Sequence, residues 1–360
     1  MKNVAFLAKG KTFFKAIGPL VYFSNNAGII PHLICYRERR GKSYDNIDNN
    51  LIQNCSSKLD HKRVVFVDSD SDLVKYLENQ NIENVVCQDP QHHFRFLDNN
   101  KFRIFSIAIF SDTLHYALGN PSLNPSNTGD GWQPYKTYFS DKSIESKFHE
   151  MYENSQKRPD AEFKRWNTSA LGSPYFDHLL FFDNNEWFDK SVLFLMPPQD
   201  SISDENKHQI NLLIEYCINE NIRFLAKGRK KTYWKVPTVF VKKIHFTDDE
   251  SGFPYSSIQL IRRTSVHITA YGTSAFESNF LGKPAINIPV IKSSVGIGNY
   301  YLSTYGLDNV FNNDLCKPST GDLIEDFKSA LKRSSPQKRN ITFEDNNSLD
   351  ILRDIVSEIS

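Results

Sequence analysis

Short apolar strands alternate with helix-length segments through most of this chain, and that alternation limits the fold to a parallel sheet covered on both faces. In the first half the strands read as Val4–Ala8, His32–Tyr36, Val64–Val67, Asn84–Cys87 and Arg103–Ile109. Helical segments are expected from Gly10 to about Asn26 and over Ser71–Asn79. A second alternating unit begins near Ser191, with a strand Val192–Met196 closed by Pro197 and Pro198. An amphipathic helix over Asp204–Asn219 follows, with Ile210, Leu213, Ile214 and Cys217 on one face. Further strands are expected at Arg223–Ala226 and Val239–Val241. Asn184 and Asn185 read as a linker, and the amphipathic segment Ser348–Ser360 follows a polar stretch long enough to carry it back across a domain boundary. The expected organisation is an N-terminal Rossmann-like domain over 1–185, with 348–360 packing back on it, and a second Rossmann-like domain over 186–347.

The stretch Val266–Pro289 is the most informative in the second unit. A β-branched run gives way at Gly272 to Thr273 and Ser274, then Ala275–Leu281 have helical spacing. Gly282 and Pro284 end that helix before Ala285–Ile288 resumes as a strand. A helix start presents unsatisfied N–H groups and partial positive charge, so it can hold a phosphate without a metal. Glu277, one turn in, can reach the hydroxyls of an attached ribose. Ser274 and Glu277 equally fit a Ser-x-x-Glu capping box, in which the two side chains satisfy backbone amides and no ligand is needed.

Composition narrows the function classes. The length of 360 residues suits two moderate domains, and 39% hydrophobic content with 27 Phe and 16 Tyr supplies two cores. A net charge of +1 argues against a dedicated nucleic-acid binder. The five cysteines are scattered without zinc spacing, and Cys35, Cys87 and Cys217 lie in or beside apolar runs as expected buried thiols. A reducing cytoplasm is the natural setting. The N-terminal apolar run is too short for a signal peptide, and no stretch approaches the ~20 apolar residues of a membrane span, so a soluble cytoplasmic chain is expected.

Several segments resemble the GT-B glycosyltransferases. Leu171-Gly-Ser-Pro-Tyr-Phe-Asp177 is similar to the Gly-x-Pro-x-(Phe/Trp)-Asp element at the interdomain crossing of CDP-glycerol polyol-phosphate transferases, capsule-polysaccharide transferases and non-hydrolysing UDP-GlcNAc 2-epimerases. Met196-Pro-Pro-Gln-Asp200 resembles the opening of their donor-binding domain, and Val266–Pro289 their donor-site element. The resemblance implies an α/β GT-B fold, two Rossmann-like domains facing a cleft with a C-terminal helix returning to the N-terminal domain. It places Gly272, Thr273 and Ser274 against donor phosphates and Glu277 on the donor ribose. Lys227 and Arg229 stand where those families carry a basic strand-end segment, which would neutralise leaving-phosphate charge. The Lys-Pro-His-Pro and Trp-His-Gly forms of the polyol-phosphate transferases are absent, as is the Gly-Gly-x-x-Glu-Glu form of the epimerases.

An inverting transfer needs a base to deprotonate the acceptor hydroxyl. Asp112 and His115 follow the fifth strand, where a doubly wound sheet puts chemistry, and Asp89 follows the fourth with the same logic. Asp112 equally suits a helix cap, and His115 an ordinary half-buried histidine. Lys9-Gly10-Lys11 follows the first strand and can approach phosphates, but no G-x-G-x-x-G or Walker pattern follows it. His245 precedes the donor element and is expected near the base pocket. The expected activity is metal-independent and cofactor-free transfer of a sugar from a nucleotide-sugar donor (UDP- or CMP-linked, including Kdo or sialic acid) to a saccharide or lipid-linked acceptor. The setting would be bacterial capsule or lipopolysaccharide synthesis, compatible with peripheral attachment at the inner face of the membrane and without a nucleic-acid partner. An epimerase, a polyol-phosphate transferase or a non-catalytic nucleotide-sugar-binding subunit uses the same fold.

Overall fold

A computed structural model describes residues 1–37, 47, 49–56, 63–88, 90–108, 132–155, 166–180, 187–197, 201–228, 238–247, 256–270, 274–289, 313–334 and 346–360. The chain forms two compact units, Met1–Asp183 with Ile341–Ser360, and Asn184–Asn340.

In the first unit seven strands form one sheet: β1 (Lys2–Ala8), β2 (Ile29–Tyr36), β3 (Val64–Val67), β4 (Asn84–Gln88), β5 (Arg103–Ile107), β6 (Lys136–Phe139) and β7 (Thr168–Ala170). Their order is β3-β2-β1-β4-β5-β6-β7, and every pairing is parallel. The central strands are buried on both faces, as their continuous apolar runs require: Val4 to Ala8 are wholly inaccessible. The helix expected to reach Asn26 ends at Phe23, and a 3₁₀ segment, Ser24–Ala27, follows it. Gly28 then turns the chain into β2 at φ +75°, a left-handed conformation that glycine adopts without a Cβ clash. Beyond β5 the sequence reading missed β6, the helix Lys142–Ser155 and β7.

The second unit holds six parallel strands: β8 (Ser191–Leu195), β9 (Arg223–Lys227), β10 (His245–Thr247), β11 (Val266–Thr269), β12 (Ala285–Asn287) and β13 (Cys316–Pro318). Their order is β10-β9-β8-β11-β12-β13. Counted from the first strand of each unit, both sheets follow the 3-2-1-4-5-6 order of a dinucleotide-type fold, so the direction in which strands are added reverses between β1 and β4 and between β8 and β11. The helix Asp204–Asn219 has the bounds its periodicity predicts, and its buried stripe Ile210, Leu213, Ile214 and Cys217 joins Phe194, Phe224, Ile268 and Phe327 in the core. Cys35, Cys87, Cys217 and Cys316 are buried, and none forms a disulfide among the described residues.

The stretch expected as a strand over Val239–Val241 is instead a single helical turn, Thr238–Val241. The N–H groups of Lys243 and Ile244 both bond to the Phe240 carbonyl, which puts Phe240 and Ile244 together in the core while Val239 stays 63% exposed. Burying that i, i+4 pair overrides the strand preference of two valines.

The last helix, Asn347–Ile359, returns to the first unit and buries Leu349, Ile351, Leu352, Ile355 and Ile359. Lys136 on β6 reaches it with Nζ 2.7 Å from Asp354 and 2.8 Å from Glu358, and the Tyr138 hydroxyl donates to Asp354 at 2.7 Å. At its other end the helix is met by the crossing element singled out in the sequence. The 3₁₀ segment Pro174–Leu180 carries Asp177, and Gly172 lies against the Asn347 side chain at φ +92°.

Candidate functional site

Ligands in open α/β sheets bind beyond the carboxyl ends of the strands at the switch point, which in the second unit lies between β8 and β11. β8 leads there to Met196 and Pro197, and the Met196 N–H donates to the Lys227 carbonyl at the end of β9. Lys227 is half-buried at that edge. Its strand lies two positions from β11, roughly 10 Å at the usual spacing between neighbours, within the span of a diphosphate and a lysine stem.

The helix after β8 begins at Ser203, whose Oγ accepts from the Asn206 N–H at 3.1 Å. Asp204 and Glu205 occupy its first turn, so its positive end already faces carboxylates. The helix after β11 differs. It runs Ser274–Phe280, with Glu277 as the acid of its first turn. Ser274 is its first residue, and its hydroxyl bonds to Thr269 Oγ1 on β11 at 2.8 Å. This hydroxyl therefore ties the helix start to the strand. A capping bond to its own helix is not what it makes. The helix's seven residues match the length expected from sequence, with the bounds shifted by one, and give two turns and so a weak dipole.

The strand and helix are further locked by His267, whose Nδ1 lies 2.5 Å from Ser278 Oγ. His267 is 1% exposed, and burial pushes its pKa down to about 3, so the ring is neutral. Glu277 is 2% exposed beside this pair, a carboxylate withdrawn from bulk water and suited to hydroxyl donors. The helix ends as the Gly-Lys-Pro sequence predicts. Gly282 takes φ +66°, and the Lys283 N–H closes back on the Ser278 carbonyl at 2.9 Å.

Arg229, Gly272 and Thr273, expected at the donor phosphates, lie outside the described residues, as do the base candidates Asp89, Asp112 and His115. Lys227, Ser274 and Glu277 belong to strands and a helix meeting at one edge of one sheet. His245 does not join them. It starts β10 at the amino edge of the sheet and lines a cavity there with Arg223.

The first unit's switch point carries a constellation whose Tyr36 and Asp70 the sequence reading did not single out. Lys9, after β1, places Nζ 3.1 Å from Asp70 Oδ1 and 3.1 Å from the His93 carbonyl. The Tyr36 hydroxyl donates to the same Asp70 oxygen at 2.6 Å, and burial with Asp70 raises the Tyr36 phenol far above its usual range. Lys9 also lies 4.8 Å from the Tyr36 ring centre and 5.4 Å from that of Phe96, which is 39% exposed. The signal was positional, since Tyr36 ends β2, Asp70 follows β3 and His93 follows β4. Among the described residues no group of three His, Cys, Asp or Glu is placed to hold a metal ion. No described helix is long and apolar enough to cross a membrane.

No protein-family model matches the chain. No curated protein matches it by sequence. Solved structures match it along its length. The UDP-GlcNAc 2-epimerase of Methanocaldococcus jannaschii, in complex with UDP-GlcNAc and UDP, has a TM-score of 0.57 at 12% identity, covering 99% of both chains. That of Neisseria meningitidis, bound to UDP-GlcNAc, has a TM-score of 0.59 at 12% identity over 99% of this chain and 100% of that one. Phytolacca americana UGT2, complexed with UDP-2fluoro-glucose and pterostilbene, has a TM-score of 0.51 at 12% identity over 99% of each chain. The chain has the two-domain, Rossmann-like GT-B fold.

Proposed function

We propose that this protein is a GT-B enzyme that takes a nucleotide-sugar and transfers its sugar to a saccharide or lipid-linked acceptor in surface-polysaccharide synthesis. The observation that supports the reading is the carboxyl edge of the second sheet, where Lys227 ends β9 and Ser274 and the buried Glu277 lie on the helix after β11, on either side of the switch point. Epimerase and UGT2 structures of that fold hold UDP-sugars, which supports a nucleotide-sugar as the ligand. In this reading Lys227 and Arg229 offset charge on the departing nucleotide, Thr273 and Ser274 hold its phosphates, and Glu277 holds the ribose diol. Asp112 or His115 deprotonates the acceptor in an inverting, metal-independent transfer. Lys9, Asp70 and Tyr36 stand at the other unit's switch point, where an acceptor would be held.

A second reading is nucleotide-sugar 2-epimerisation, favoured by the epimerases among the matching structures. One experiment separates the two. The protein is incubated with UDP- and CMP-sugars, with and without saccharide acceptors, and released nucleotide and the donor's C2 configuration are both followed. Acceptor-dependent nucleotide release supports transfer, and an epimerised donor without release supports the second reading. Tight nucleotide binding with neither outcome, unchanged in Glu277→Ala, would remove both the enzyme and the site.

A further inference from the structure

β9 spans Arg223–Lys227, so its two ends lie roughly 13 Å apart at the usual rise per residue. Lys227 belongs to the edge already described. Arg223 belongs to a cavity at the opposite, amino edge of the same sheet. This cavity encloses about 690 Å³ and is bounded by Trp187, Phe188, Asn221, Arg223, Lys243 and His245. Its size is that of a small-molecule pocket and exceeds what a bare phosphate fills.

Arg223 and Lys243 line the wall with Trp187 and Phe188, and two further cations, Arg263 and Lys283, stack on those rings without lining the cavity. The Arg223 guanidinium carbon lies 4.2 Å from the Phe188 ring centre, and that of Arg263 lies 4.6 Å from the same ring. Lys283, from the Gly-Lys-Pro element, places Nζ 3.8 Å from the Trp187 ring centre, and burial together with Arg262 lowers its pKa to about 8. Asp189 is the carboxylate on the wall, and it accepts from the Lys190 N–H. Among the described residues neither Arg223 nor Lys243 forms an ion pair. With a net charge of only +1 for the whole chain, this concentration is local.

The like charges of Arg223 and Lys243, on one wall, repel each other unless an anion joins them. A guanidinium stacked on a ring is already ordered and partly desolvated, so it loses little freedom when it grips an oxyanion. Its planar fork matches two oxygens of a phosphate, and an ammonium beside it adds a second charge. We propose that the amino-edge cavity is a second ligand site, which takes a phosphate ester, free in solution or as the headgroup of an anionic lipid, gripped by Arg223 and Lys243. The inference does not depend on the activity assigned to the opposite edge.

The test uses the full chain and two probes. Glycerol phosphate is titrated calorimetrically, and sedimentation is compared with vesicles of phosphatidylglycerol and of phosphatidylcholine alone. Saturable binding of glycerol phosphate identifies a soluble ester, and sedimentation with phosphatidylglycerol vesicles alone identifies a lipid headgroup. In either case Arg223→Ala with Lys243→Ala is expected to weaken binding at least tenfold, and Arg223→Lys severalfold because charge stays while the fork is lost. Lys227→Ala, at the other edge, is expected to leave it unchanged. Both lysines and Arg223 lie outside the core, and an unchanged melting temperature confirms that the variants fold. Binding of neither probe, equal binding by the double variant, or loss confined to Lys227→Ala would overturn the proposal.

Discussion

Asp177 Oδ2 lies 2.5 Å from both the backbone nitrogen and the hydroxyl of Ser348, at the first turn of the helix that returns to the first unit. A residue of the crossing element thus supplies the carboxylate for a helix start far along the chain, where an anion is favoured. Asp177 is completely buried, and among the described residues its Oδ1 has no hydrogen-bond partner. Burial raises its pKa to about 7, against the bonds from Ser348 and Asn347, which pull the other way.

The sign of the pH dependence follows. The native state keeps a proton that the unfolded chain releases near the ordinary value of 3.8. Asp177 therefore gives its full contribution below that value, and stability falls as pH rises toward 7. Asp177→Asn keeps an oxygen to accept from Ser348 and cannot ionise. Melting temperatures measured from pH 5 to pH 8 should fall less for Asp177→Asn than for the parent, with the variant the more stable at pH 8. Parallel profiles would show that Asp177 is not the titrating group.

Gly172 guards the same junction. Its φ of +92° disfavours any L side chain, and a Cβ there would run into the Asn347 amide, whose Nδ2 donates to the Ser173 carbonyl at 3.2 Å. Gly172→Ala combines backbone strain with displacement of that amide, so a loss of about 2–4 kcal/mol is expected in urea unfolding. A variant Asn347→Ala, which clears the space, should recover part of the loss as a non-additive double-mutant cycle.

Lys136 is the other anchor of the returning helix. Its side chain is 8% exposed between Asp354 and Glu358; burial alone would lower its pKa, but bonds to the two carboxylates raise it. Lys136→Met removes the cation and leaves two half-buried carboxylates facing each other and the Tyr138 hydroxyl. A loss on the order of 3 kcal/mol is expected by chemical denaturation at neutral pH. The loss should shrink in acid as the carboxylates protonate, and a pH-independent deficit would mean that packing alone is responsible.

Lys136 also shows where the sequence stopped being legible. β3 and the helix Asp204–Asn219 were readable because their apolar residues follow one period without interruption. β6 was not, because it opens on a buried lysine whose partners lie at the far end of the chain. β7, Thr168-Ser-Ala170, is short and polar, and its Thr168 hydroxyl donates to Glu145 at 2.6 Å on the neighbouring helix. At the site, the strand–turn–helix–stop order of Val266–Pro289 was readable from glycine and proline placement. The partner of the Ser274 hydroxyl was not, since Glu277 is nearer in sequence and fits a capping box, and only the packing of helix on strand selects Thr269. Tyr36 and Asp70 meet Lys9 because the 3-2-1-4 strand order brings the ends of β1, β2 and β3 side by side, and spacing along the chain does not encode that order.

Glu277 offers the sharpest test of the donor-site reading, because a stability role and a ribose-binding role predict different results. If its carboxylate accepts from the ribose diol, each charge-assisted bond contributes about 1.5–3 kcal/mol, so Glu277→Ala should weaken UDP binding by about tenfold or more. A merely structural glutamate can produce the same loss by disturbing the helix Ser274–Phe280. The two are separated by 2′-deoxy-UDP. The parent should prefer UDP over the deoxy form, whereas Glu277→Ala should bind both alike, since the missing hydroxyl no longer has its acceptor. Ser278→Ala is the control. It breaks the bond to His267 and costs about 1–3 kcal/mol of stability by leaving a buried imidazole nitrogen unpaired, yet it should retain the preference for UDP. Equal preference in the parent and Glu277→Ala would assign Glu277 to the architecture of the helix and remove it from the ligand.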